Sequence, residues 1–222
     1  MTTDPWPFHQ LVLRTPRLEL RPDDDAGLRE LNEAALAGVH APDEMPFYVP
    51  WTQAPPDVLG RQTMQFYWRH RAEVGPTGWT LNFLVRLDGT VIGTQGLKAT
   101  NFAVTREVSS GSWITRRLQG QGFGTEIRAA VLQFAFDHLG ADAARSGAFA
   151  DNPASRAVSR KLGYREDGTN TLERLGSRAT EIRLLLRSED FVRPGWKLNV
   201  EAWNPASRCS VSEPGATGGH LR

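Results

Sequence analysis

Residues Glu107 to Arg128 read EVSSGSWITRRLQGQGFGTEIR, and the glycines at 120, 122 and 124 are the best-placed chemical feature of this chain. They follow an alternating segment, Val108 to Ile114, and precede an apolar helical pattern at Ile127, Val131, Leu132, Ala135 and Phe136. Strand, glycine turn and helix together present backbone N–H groups and a helix N-terminus to an anion, usually a phosphate. A residue without a Cβ lets the backbone approach a ligand closely. Arg116 and Arg117, just ahead of the turn, add positive charge.

The elements that must position this turn follow from the hydrophobic pattern. Leu11 to Arg21 alternates and predicts a first strand interrupted by Pro16. Asp23 to Asp25 offers N-caps for a helix over about 25–37 with a Leu28, Leu31, Leu36 stripe. Residues 38–56, GVHAPDEMPFYVPWTQAPP, carry five prolines and the anchors Met45, Phe47, Tyr48 and Trp51. A loop this long in a compact domain either covers a pocket or is a stiffened connection. A second helix fits 56–73. Strands at 80–86 and 91–98 flank Asp88-Gly89, a hairpin signal. A fourth strand, 102–114, should be bulged or bent at Ser109-Ser110-Gly111. After the glycine turn and a helix to about residue 138 come a strand at 143–150 and a helix opened by Asp151-Asn152-Pro153 and closed by Gly163. Strands at 164–168 and 180–186 complete the order, an α/β (α+β) mixed sheet with helices on both faces. Residues 1–10 read as a loose arm. Residues 204–222, rich in Gly, Pro, Ser, Ala and Thr, read as a disordered tail.

The 222 residues suit one sizeable domain, and the net charge of +1 gives no support for non-specific nucleic-acid or membrane-surface binding. The single Cys209 excludes an internal disulfide framework, and the five histidines show no ligand spacing, so no metal is expected. No apolar run of about 18 residues exists. The N-terminus lacks a basic flank and apolar core, so a soluble, cytoplasmic protein is expected.

Glycine-rich turns before helices occur in dinucleotide folds, in nucleotidyl sites and as plain tight turns. A dinucleotide fold needs Gly-x-Gly-x-x-Gly after the first strand of a parallel sheet. Here the spacing is Gly-x-Gly-x-Gly, the turn falls mid-chain, and no Walker lysine is present.

The chain resembles the GCN5-related N-acetyltransferase (GNAT) superfamily over roughly 15–190. Its cofactor motif, Gln/Arg-x-x-Gly-x-Gly/Ala, matches Gln119, Gly122 and Gly124. The segments RTPRLELRP, TVIGTQGL, GSWI, GTEIRAAVLQFAF and DNPASRAVSRKLGY are similar to the RimJ/RimL branch of ribosomal-protein N-terminal acetyltransferases. GVHAPDEMPFYVPWT is similar to an actinobacterial sub-branch, some members of which use succinyl-CoA. The resemblance implies a GNAT fold over 1–190, with a partly disordered extension at 191–222. It also implies a mostly antiparallel sheet of six to seven strands, splayed between the fourth and fifth. A homo-oligomer, simplest as a dimer, is compatible with it.

The resemblance further implies acetyl-CoA or succinyl-CoA as acyl donor. The diphosphate would lie on Gln119, Gly120, Gln121, Gly122, Phe123, Gly124 and Thr125, at the positive end of the following helix. The pantetheine arm would lie along the free edge at Trp113, Ile114 and Thr115. The family's Asn and Ser contacts map onto Asn152 and Ser155, with helix capping the alternative role of Asn152. Arg160 and Arg156 are available to a CoA phosphate.

An acceptor amine, with a pKa of about 8 to 10.4, must lose a proton before it attacks the thioester. Glu107 is the expected base. Related chains carry Glu-Ile-Gly-Tyr-Trp-Leu on this strand, where Ser109 stands in the Glu position and Glu107 lies two residues back. His40 and Glu44 are alternatives. The family's thiolate-protonating Tyr maps onto Ser159, a poor acid, with Tyr164 nearby in sequence. His40, Met45, Phe47, Tyr48 and Trp51 form the expected acceptor wall. A succinyl carboxylate would need a cation, for which Arg61, His40, Arg71 and Lys98 are available. The expected function is acyl transfer from CoA to a primary amine of a protein or small molecule. The competing reading is a non-catalytic acyl-CoA sensor or scaffold of the same fold, and a dinucleotide oxidoreductase stands third.

Overall fold

The computed structural model describes residue 6 and residues 8–203. The loose arm and the tail expected from sequence therefore fall largely outside the described residues. Strands β1 (Val12–Arg14) and β2 (Glu19–Pro22) make a hairpin around Pro16, where one interrupted strand was expected. Helix α1 (Asp25–Leu36) is capped by Asp24, whose carboxylate accepts the Gly27 N–H at 2.8 Å. Its Leu28 and Leu31 are buried, whereas Leu36 is exposed. Helix α2 (Pro56–Ala72) begins on a proline, whose missing N–H would be an unbonded helix-end donor anyway.

Strands β3 (Gly78–Leu87) and β4 (Thr90–Thr100) pair across Asp88-Gly89, both at positive φ, the geometry that this dipeptide favours. Where a continuous strand was expected from 102, a helical turn α3 (Phe102–Thr105) and a left-handed Arg106 precede β5 (Glu107–Ile114). Helix α4 (Phe123–Gln133) continues as a π-helical turn, Phe134–Leu139, and ends at Gly140 with φ +75°. Then come β6 (Ala143–Phe149), α5 (Pro153–Lys161) and a long hairpin of β7 (Arg165–Arg174) and β8 (Ser177–Arg187). The hairpin turn is Leu175-Gly176, again at positive φ, without the Asn or Asp that marks such turns in sequence.

Among the described residues the sheet has nine strands in the order β7-β8-β6-β5-β4-β3-β2-β1-β9, not six to seven. The excess comes from the split arm and from β9 (Asn199–Glu201), which pairs with β1. Phe191 and Leu198 pack into the main core, so the folded body runs past residue 190. All named pairs are antiparallel except β5–β6.

That pair makes the feature on which the site depends. Strand β5 pairs with β4 without a register break from Ser109 to Ile114, so the expected bulge is absent on this side. With β6 it pairs only at Glu107, Val108 and Ser109. Strand β6 is meanwhile held by β8 along its whole length. Two strands held by opposite neighbours diverge after Ser109, which opens the splay expected between the fourth and fifth predicted strands. Helix α4 lies in the main core, buried on every side from Glu126 to Gln133. Helices α1 and α2 and the proline-rich loop cover the other face.

Candidate functional site

The glycine turn sits at the open end of the splay. Gly120 and Gly122 have φ of +76° and +85°, which L side chains rarely adopt. Nothing lies within 4 Å of a Cβ placed on Gly120, and only the Arg17 guanidinium comes near Gly122. The backbone N–H groups of Gly120, Gln121, Gly122, Phe123 and Gly124 donate to no internal partner among the described residues. The turn is therefore neither plugged nor self-satisfied, and a diphosphate fits it. Gln119 and Thr125 differ. The Gln119 N–H donates to Arg116 O at 3.1 Å and the Thr125 N–H to Gly122 O at 3.1 Å. The Gln119 side chain bonds Val39 O at 2.7 Å and Ile114 O at 2.8 Å, so it braces the turn against the loop after α1.

Arg17 was not expected here. Its Nη1 donates to Gln121 O at 3.1 Å, and its guanidinium lies 4.2 Å from the centre of the Phe123 ring. Buried Glu126 holds it, with Nη2 to Oε2 at 2.5 Å, and also accepts from the Thr15 hydroxyl at 2.6 Å. The arm is thus fastened to α4, and a cation stands beside the free amides. Arg116 and Arg117 are exposed at the same end.

Along the splay, Ser110 to Ile114 has no partner on the β6 side. Thr115 is committed: its N–H donates to Ile92 O and its hydroxyl to Gly38 O. The Trp113 side chain joins the aromatic wall, 5.6 Å from Trp51. Asn152 is the helix cap, accepting the Ser155 N–H on Oδ1 at 3.0 Å, which leaves its amide nitrogen available. Arg156 is paired with Glu166 at 2.9 Å, and Arg160 is exposed on α5.

The two carboxylates on the loop side of the splay are held differently. Glu107 lies at its closed end, and Arg145 engages both its oxygens at 2.6 and 3.1 Å. Arg145 also meets Asp167 at 3.0 Å. With both oxygens engaged by a guanidinium, Glu107 is tied to Arg145 rather than turned to an incoming amine, which weighs against the expected base. Glu181, on β8, was missed. It accepts from the Tyr48 hydroxyl and, at 2.7 Å, from the Asn170 amide. The Glu181 carboxylate and the Tyr48 hydroxyl lie against Gly147 of β6, where a Cβ would overlap the carboxylate. Burial, then hydrogen bonding to Glu181, raises the Tyr48 hydroxyl above its ordinary pKa, so Tyr48 stays a donor. In sequence Glu181 reads as one polar position of an alternating strand, and only the missing Cβ at 147 hints at close approach.

The proline-rich loop is tied down at its start and in its middle. Gly38 O accepts from the Arg116 N–H, and Met45 O accepts from Arg174 at 3.1 Å. His40 spends both ring nitrogens, on Ala41 O at 2.7 Å and the Thr52 hydroxyl at 2.8 Å. Phe47 stacks near His40 and Trp51, with centroids at 5.8 and 5.1 Å, and Tyr48 meets Phe149 at 5.1 Å. Met45 is buried, while exposed Glu44 accepts the Ala41 N–H. Of the cations considered for an acyl carboxylate, Arg71 is taken by Asp23 and Asp25. Asp23, 8% exposed, is pushed up to about 7 by burial, against the pull of Arg71.

On the opposite face, Ser159 is fully buried. It donates to Ser155 O at 3.0 Å and accepts from Arg128 Nη1 at 2.8 Å. Arg128 is 5% exposed, and burial lowers its pKa from the ordinary value. Among the described residues it has no carboxylate partner. A charged residue inside the apolar run Ile127 to Leu132 was the available sequence signal.

Among the described residues no helix is long and apolar enough to cross a membrane. No group of three His, Cys, Asp or Glu side chains among them could hold a metal. The sequence model described as an acetyltransferase (GNAT) domain matches residues 17–165. Among solved structures, the chain is similar to Mycobacterium smegmatis RimJ, a complex with CoA-disulfide, with a TM-score of 0.70 and 23% identity over 92% of this chain and 94% of that one. It is similar to RimL, a ribosomal L7/L12 alpha-N-protein acetyltransferase in complex with coenzyme A, with a TM-score of 0.63 and 17% identity over 78% and 95%. A GNAT-family acetyltransferase from Bacillus anthracis gives 0.64 and 16% over 80% and 99%. At these identities the structural likeness speaks to the fold.

Proposed function

The chain belongs to the GNAT acetyltransferase family, and from that premise we propose that it moves an acyl group, acetyl or succinyl, from a coenzyme A thioester to a primary amine by direct attack. The observation that carries this reading is the row of unpartnered amides from Gly120 to Gly124 at the mouth of the splay. Those amides, the N-terminus of α4 and Arg17 would hold the diphosphate. The unpaired edge Ser110 to Ile114 would take the pantetheine amides as an added strand. Asn152 Nδ2, the Ser155 hydroxyl and Arg160 are the proposed further contacts, Arg160 with a CoA phosphate. When bound, the thioester supplies an electrophilic carbonyl and a sulfur leaving group.

The acceptor amine would enter on the face where the proline-rich loop meets the β7–β8 hairpin. Phe47, Trp51 and Trp113 offer an apolar flank there. A protein N-terminus, a lysine or a small-molecule amine satisfies this chemistry. An ammonium must be deprotonated before it can attack. Glu181 takes this role in place of Glu107, because its oxygens meet neutral donors only.

Acyl-CoA binding and turnover test the proposal. Acetyl-CoA or succinyl-CoA at about 100 times its Kd should add about 2.7 kcal/mol to stability, read as a rise in melting temperature. A panel of amines should release free thiol, and the mass gained by the acceptor identifies the acyl group. No stabilisation by any acyl-CoA overturns the reading. Binding without turnover for every amine would instead establish an acyl-CoA sensor.

A further inference from the structure

Three buried polar atoms from three elements converge beside the splay on the α4–α5 face. They are Arg128 Nε on α4, the Tyr164 hydroxyl just after α5, and the Ser110 hydroxyl on β5, one residue past the last β5–β6 pair. None makes a hydrogen bond of good geometry, although the Tyr164 and Ser110 hydroxyls lie close enough to interact. Arg128 and Tyr164 are 5% and 6% exposed. Tyr164 faces both Arg128 and Ser110, which links the cluster from helix to strand. Ser159 anchors the guanidinium through Nη1.

No acid faces this cation from the elements packed around it. Glu126, on the same helix, is committed to Arg17 and Thr15. On α5, Arg156 is paired with Glu166 and Arg160 is exposed. On β6, Arg145 is paired with Glu107 and Asp167. A guanidinium taken out of water without a counter-charge is costly unless an anion arrives to meet it.

We propose that Arg128, steadied by Ser159, is the cation that receives the coenzyme A thiolate as it departs, with the Tyr164 and Ser110 hydroxyls as further donors. This rests on the acyl-CoA reading above. In the transfer the amine nitrogen bonds the acyl carbon, the carbon–sulfur bond breaks, and its electron pair leaves on sulfur. The nitrogen gives up two protons in all, both through the base on the other face: the ammonium proton, passed on to solvent before attack, and the one released as the amide forms. The sulfur departs as an anion hydrogen-bonded to Arg128, so Ser159 need not act as an acid. Negative charge developing beside a preorganised donor in a water-poor site is stabilised far more than in water.

The test needs no acceptor. The thiol of coenzyme A bound to the full-length protein is titrated by its ultraviolet thiolate absorbance, as a difference against protein alone. An adjacent cation should lower the bound thiol's pKa by about one unit or more relative to free coenzyme A, about tenfold more thiolate at a given pH. Arg128→Gln should abolish the shift while still binding coenzyme A, and Arg128→Lys should restore part of it. A bound thiol that titrates at or above free coenzyme A in the wild-type protein overturns the proposal, and that comparison needs no variant to fold. An equal shift in Arg128→Gln overturns it too. If coenzyme A fails to bind the wild-type protein, the acyl-CoA reading falls first and this one with it.

Discussion

Arg128 and Glu181 flank the splay from opposite faces, and neither has an ionic partner among the described residues. Arg128 is enclosed between α4 and α5, holds only a serine, and leaves a donor unused. Glu181 is half-buried on the loop side, where a tyrosine and an asparagine donate to it. Most other charges nearby are matched: Glu107 with Arg145, Arg174 with Asp151, Arg156 with Glu166. Paired ions steady a fold, whereas an unpaired acid and an unpaired cation are free for the two charge tasks of the proposed acyl transfer. One would accept the amine proton, and the other would meet the charge left on sulfur. Separation by the sheet keeps them from neutralising each other.

The most direct way to break this contrast is to compare the two loop-side carboxylates. Glu181→Gln should lower kcat by about 10²- to 10⁴-fold, the usual weight of a general base, with coenzyme A affinity unchanged. Glu107→Gln should cost less than about tenfold. Thiol release with an accepted amine measures both, and a reversed ranking would return the base to Glu107. A smaller effect is expected at the turn that holds the donor. Gly120→Val puts a branched side chain at φ +76° over free amides. It should weaken coenzyme A binding by tenfold or more, about 1.4 kcal/mol by calorimetry. Unchanged affinity would move the diphosphate elsewhere.

Asp23 sharpens the comparison as a buried acid that does have a cation, Arg71, with Nε at 3.0 Å. Its folded pKa of about 7 lies above the unfolded value of about 3.9, so the folded state binds the extra proton. Stability should therefore fall as pH rises from about 4 to 7 and level off above. Asp23→Asn should remove that slope, worth ~2–4 kcal/mol, and change turnover by less than about threefold. Melting temperatures across this range test the sign, and a retained slope would assign it to another group.

The local signals in the chain were informative. Asp24 caps α1, Asp88-Gly89 turns the hairpin, Asn152-Pro153 opens α5 and Gly163 follows its end at φ +95°. Each is a choice made within a few residues, where side-chain sterics and local hydrogen bonds decide. The β7–β8 hairpin was underestimated because Leu175-Gly176 lacks an Asx signal and both strands are mostly polar. Strand β9 was missed because only its partner β1, far away in sequence, makes it a strand.

The same division holds at the site. The order of residue types alone determined the glycine turn, its open backbone and the helix behind it, since these follow from local geometry, whereas the place of the splay was implied by the family resemblance. Which charges stay unpaired was decided by the tertiary structure. Arginine and glutamate are ambiguous in a one-dimensional pattern, because an ion's role depends on the dielectric and the partners around it. Packing α4 against α5 isolated Arg128, pairing β5 with β6 brought Arg145 onto Glu107, and the missing side chain at Gly147 let Glu181 reach the cleft.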